Sequence, residues 1–235
     1  FRYLVILDMA LGGIGGITAT LLMVTYTYFW ELNATETSIL FAGPVVAAVI
    51  LVAVCSGYLN RVFEKQQLLR LTCLLTTINL LWLTPLKLLG LLPDNNTLVF
   101  ILIYANWAIQ VMMSILRMIA TQSLLADIVD EHELATGKRQ EGVMFAAAFF
   151  SAKFISGFGY LVAGPFLDLI GLEAGVQPGD VSRTVLWGLG LIMGPGLALI
   201  MLVPMWMSFK VNMSHAGQLA VRQALTERAI RSDSS

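Results

Sequence analysis

The 235-residue sequence predicts an all-α membrane protein of six transmembrane helices. Three observations carry that prediction. Hydrophobic residues make up 57% of the chain and charged residues only 12%, whereas a soluble domain carries roughly 25% charge. The apolar residues gather into six runs, each able to cross about 30 Å of hydrocarbon with about 20 helical residues. The connections between the runs are short and polar.

The spans fall at about 4–30, 38–59, 68–92, 98–126, 142–170 and 184–209. WELNATETS separates the first two, NRVFEKQQ the next pair and LPDNNT the third and fourth. A charged stretch at 126–142 joins the fourth to the fifth, and GLEAGVQPGDVSR leads into the sixth. Gly12, Gly13, Gly15, Gly16, Pro44, Pro165, Pro195 and Pro204 lie inside spans. In lipid they do not veto a helix, because neighbouring helices re-satisfy the freed backbone groups. The chain divides into a bundle over 1–209 and a polar, loosely amphipathic tail over 210–235. The opening FRYLVILDMA has no initiating Met and no cleavable leader pattern. It reads as the continuation of a longer chain.

Basic residues set the orientation. Arg2, Arg61, Lys65, Arg70, Lys138, Arg139, Lys210, Arg222, Arg228 and Arg231 fall on one set of ends and loops, and Arg183 on the other. This asymmetry places both ends in the cytoplasm, and the expected location is a bacterial cytoplasmic membrane. Net charge is −1, which leaves no nucleic-acid footprint. Cys55 and Cys73 read as buried, inert thiols.

Ionisable groups at mid-bilayer are costly, about 2.5–3.5 kcal/mol on insertion scales, and face protein or water. Three spans carry one. Asp8, Gly12, Gly15, Ala19, Tyr26 and Trp30 share a face of the first. Asn106, Gln110, Ser114, Arg117 and Thr121 fall within about 80° on the fourth. Gly142, Ala146, Phe149, Lys153, Ser156, Gly157, Tyr160 and Gly164 fall within about 100° on the fifth. Three such faces are what the lining of an aqueous cavity requires. The predicted cavity residues are Arg117, Lys153, Asn106, Gln110, Asp8 and Tyr160. The alternative is that Arg117 and Lys153 only lock helices together, since interhelical polar contacts are common. The Gly12–Gly16 spacing is a close-packing pattern.

The stretch ADIVDEHELATGKRQEG, 126–142, carries Asp127, Asp130, Glu131, Glu133, Lys138, Arg139 and Glu141. Carboxylates at a helix C-terminus oppose its dipole unless cations meet them. Lys138 and Arg139 are near in sequence, and Arg61 and Lys65 lie on the same membrane side. Gly137 provides a turn. Asp130, His132 and Glu133 lack the HExxH spacing of a metal site, so no metal and no cofactor is expected. No Ser–His–Asp set or phosphate loop points to an enzyme.

The pattern A-D-x-x-D-x-x-E-x-x-T-G-x-R-x-E-G from Ala126 to Gly142, followed by Lys153, resembles the signature of the glycoside–pentoside–hexuronide:cation symporters, the melibiose-carrier-like branch of the major facilitator superfamily. GYLNRVFEK at 57–65 more loosely resembles a short basic loop of that superfamily. The resemblance implies the C-terminal six-helix half of a twelve-helix carrier, coupled to Na⁺ or H⁺ and moving a small polar solute: a sugar, glycoside or uronate. It implies that most cation-binding acids lie in an N-terminal half, that Asp127, Asp130, Glu133, Arg139 and Glu141 form a cytoplasmic gate, and that Lys153 lines the central cavity. Glu131 and His132 depart from the pattern, where many relatives have an aromatic and a small residue. The rival reading is a non-transporting six-helix scaffold or subunit, with Arg117 and Lys153 in dry helix contacts.

Overall fold

A computed structural model describes residues 1–173, 175–211, 217, 221, 223 and 224, with only the main chain of Ser56, Leu59, Asn60 and Arg61. Most of the tail, with Arg222, Arg228 and Arg231, and the Arg61 side chain lie outside the described residues. The elements run α1 (Arg2–Val24), α2 (Ala34–Val62), α3 (Lys65–Leu80), α4 (Leu83–Leu88), α5 (Asn96–Thr136), α6 (Glu141–Ile170), α7 (Arg183–Leu191) and α8 (Leu197–Lys210). A π-helical turn, Thr25–Phe29, extends α1, and a second, Ile192–Gly196, joins α7 to α8. Among the described residues, six helical stretches are long and apolar enough to cross a membrane, each overlapping one of the six predicted runs.

Local chemistry explains the ends. Asn33 and Glu36 exchange side-chain and backbone hydrogen bonds at 2.9 Å before α2, a reciprocal cap that satisfies orphan N–H groups. Asn95 accepts from the Leu98 N–H at the start of α5. That helix runs 41 residues, past the apolar run and through the acids, to Gly137 at φ 72°. A left-handed residue stops a helix there, and glycine adopts it without strain.

Helix α1 packs on α6 and α8, α3 on α5 and α8, and α2 on α5. The α1–α6 contact is made by backbone. A Cβ on Gly159 would sit 2.7 Å from the Gly13 carbonyl oxygen and 2.9 Å from the Gly16 Cα. A Cβ on Gly12 or Gly16 would strike the carbonyl of Ala152 or Ser156. The small-residue pattern therefore serves helix approach, as its spacing suggests.

Among the described residues two large apolar cores form, beside a small third one of Val52, Met113 and Leu116. One gathers Leu4, Leu7, Leu69, Cys73, Leu124, Leu125 and Met201. The other gathers Leu21, Phe29, Leu40, Leu189 and Leu197. Between them along α3 and α5 lie Thr76, Asn79, Asn106, Gln110 and Arg117. Cys55 corrects the expectation of two buried thiols: it is exposed on α2, while Cys73 is fully buried. An apolar neighbourhood in sequence did not mean burial, because the outer face of a membrane helix is apolar too.

Candidate functional site

A cleft of about 790 Å³ opens between α1, α5 and α6, with Phe41 of α2 at one side. Asp8, Gly12, Gly15 and Ala19 supply one wall; Gln110, Ser114, Arg117 and Thr121 a second; and Phe149, Ala152 and Lys153 the third. Parts of the three faces picked out by helical periodicity line this one space. Asp8, Arg117 and Lys153, the three ionisable groups, all line it.

Their settings differ. Arg117 is 8% exposed and donates from Nη1 to Thr76 Oγ1 of α3 at 2.9 Å. It therefore both lines the cleft and ties α5 to α3. Lys153 is exposed, and nothing lies within 4 Å of a Cβ added at Gly157 or Gly164. These glycines make no slot around the lysine; α6 is open on that side.

Two predicted cavity residues lie elsewhere. Asn106 lines a smaller pocket beside this cleft and not the cleft itself. Its Nδ2 donates to the Asn79 carbonyl at 3.0 Å and to Asn79 Oδ1 at 3.1 Å, and Asn79 Nδ2 donates to Gln110 Oε1 at 3.3 Å. This amide cluster joins α3 to α5, so the amide beside the arginine serves helix contact. Tyr160 is 53% exposed and outside the cleft lining. It shares the azimuth of Lys153 but sits about 10 Å further along α6. A helical wheel gives direction and not depth.

Thr18, Trp107 and Gln122 also line the cleft and were missed. Trp107 and Thr18 carried no signal in an apolar run, and the buried Trp107 Nε1 and Thr121 Oγ1 have no hydrogen-bond partner among the described residues. Lys87 was absorbed into an apolar run. It lies at the end of α4, donates to the Phe29 main-chain carbonyl, and places its ammonium 5.1 Å from the Phe29 ring centre and 5.0 Å from that of Trp30.

Ion pairs place four of the five residues expected as one charged unit in two groups. Asp127, almost fully buried, pairs with Lys65 at 2.5 Å and joins α5 to the start of α3. Arg139 pairs with Glu133 at 3.2 Å and Glu141 at 2.8 Å within the α5–α6 connection. The hydrogen bond to Glu141, then the charges of Glu141, Glu133 and Asp130, raise the Arg139 pKa above its usual value. Of the expected cations, Lys65 meets Asp127 and Arg139 stays local.

A protein-family model described as MFS/sugar transport protein matches residues 1–213. No match was found among curated proteins or solved structures.

Proposed function

The chain belongs to the MFS/sugar transport protein family, and on that premise we propose that it is the C-terminal half of a cation-coupled sugar symporter. It works with a second six-helix half by alternating access, in the melibiose-carrier-like manner that the 126–142 pattern suggests. Both ends face the cytoplasm. The observation that carries this reading is the convergence of Asp8, Arg117 and Lys153, from three helices, on one open cleft. A scaffold has no use for a lysine held exposed on such a wall. Gln110 and Arg117 face the solute, and Lys153 supplies a positive charge beside it. Asn106 holds α5 on α3, and Tyr160 meets the second half. Na⁺ or H⁺ binds chiefly at acids of that half, with Asp8 contributing. Lys65–Asp127 fixes the end of α5, so that Asp130, Glu133, Arg139 and Glu141 are presented together as the cytoplasmic gate.

The test is Lys153→Ala in the full-length protein, reconstituted in liposomes. Uptake of a radiolabelled sugar driven by an imposed Na⁺ or H⁺ gradient falls at least about tenfold, the equivalent of one 1.4 kcal/mol interaction. Thermal stability stays at the parent value, because the side chain is exposed. Full uptake in the variant, or uptake in the parent that ignores both gradients, overturns the reading.

A further inference from the structure

Beside the cleft lies a smaller pocket, of about 70 Å³, bounded by α1 with its π-turn, α3, α4, α5 and the second π-turn with α8. Thr18, Trp107 and Gln110 line both spaces, so the pocket is a side arm of the cleft. Three of its lining groups, Thr25 Oγ1, Thr84 Oγ1 and Trp107 Nε1, are buried without a hydrogen-bond partner among the described residues. Thr25 is only 2% exposed. Buried polar groups are paired in nearly all native structures, so three orphans at one pocket mark a place built for a polar guest. Both π-turns border it, through Thr25 and Met193, and such turns are frequent at functional sites.

The chemistry selects the guest. The lining holds no Asp, Glu, Lys, Arg or His, so a carboxylate or ammonium would be desolvated there without a counter-charge. Trp107 Nε1 only donates, which disfavours a metal cation. A hydroxyl has one proton to give and two lone pairs to fill, and it suits one indole donor and two threonine hydroxyls; the other polar lining, Thr18 with the amides of Asn106 and Gln110, is neutral too. Tyr26, Trp30 and Trp107 add aromatic walls. In the same measure of volume a water takes about 10–15 Å³. The arm therefore has room for a few water-sized groups, and a pyranose ring must stay in the cleft. We propose that this arm is a specificity pocket for the neutral hydroxymethyl group of a hexose whose ring lies in the cleft. The inference rests on the sugar-transport reading and narrows it, away from uronates and toward neutral hexoses and their glycosides.

Equilibrium binding to the purified full-length protein tests it. The probes are D-glucose, D-galactose and D-mannose, each with its 6-deoxy analogue and its uronic acid. The best-bound hexose outbinds both of its analogues by at least about tenfold. Thr25→Val, Thr84→Val and Trp107→Phe each weaken the hexose, leave the 6-deoxy analogue unchanged and bring the ratio near one; Thr25→Ser keeps it. Equal binding of hexose and 6-deoxy analogue by the parent overturns the pocket while leaving sugar transport standing. So does a preference that survives all three variants, which would make the arm a site for fixed water. If the parent binds none of the hexoses, the sugar reading falls and the pocket with it. A variant that does not fold is replaced by its neighbour in the set, since any one of the three suffices.

Discussion

Lys65–Asp127 and Arg139 with Glu133 and Glu141 both pair cations with carboxylates of one charged stretch, yet they are different devices. The first joins residues 62 apart in sequence and seals an acid that is almost fully buried. The second closes within nine residues, and its arginine side chain is 58% exposed. A pair in water is worth about 0–1 kcal/mol, because solvent replaces each bond. A buried acid is beyond that easy exchange with solvent, so losing its cation costs more. What the comparison teaches is that one charged stretch can hold a fixed joint and a remakeable contact, and burial decides which is which.

The largest expected break comes from Lys65→Ala, which leaves the buried Asp127 carboxylate without its ammonium. Thermal unfolding in detergent should show a loss of about 2–3 kcal/mol, below the full penalty because Lys65 is itself partly exposed. A loss under about 0.5 kcal/mol would mean that the pair is no joint. Lys65→Met combined with Asp127→Leu should recover most of that loss, since apolar replacement of a buried pair is often neutral or better. Strict additivity of the two single changes would show that the residues do not interact.

Salt separates the two groups more finely. At about 1 M the screening length is near 3 Å, so the contribution of the Arg139 cluster should vanish while Lys65–Asp127 persists. The smallest effect is that of Arg139→Gln on folding: the unfolding midpoint should not move. If Arg139 belongs to the proposed gate, its effect should be on transport. A shifted midpoint with normal uptake would reverse that assignment.

The six spans and the three polar faces were legible because apolar length and helical azimuth are local properties of sequence. The charged stretch after residue 126 reads as a loop, yet α5 continues through it to Thr136; only the turn at Gly137 is legible locally. What was not legible depended on partners far along the chain. Nothing near Asp127 says that Lys65, and not Arg139, will reach it. Nothing near Asn106 announces Asn79. Depth was lost too, so Tyr160 was grouped with Lys153 although the cleft ends before it. The π-turns at Thr25–Phe29 and Ile192–Gly196 have no periodic signature. Without them the polar groups of the side arm look like scattered residues in apolar runs.

The glycine contact between α1 and α6 has a consequence for entropy. Ordering Gly and Ala side chains costs no rotamer freedom, whereas long side chains at a helix interface lose about 1.5–2 kcal/mol each. Gly12, Gly16, Ala152 and Gly159 bring main chain against main chain, so this seam has few rotamers to freeze and few to melt. The two cleft walls that carry Asp8 and Lys153 are thus spaced by peptide units, and thermal hopping of side chains at the seam cannot loosen the distance between them.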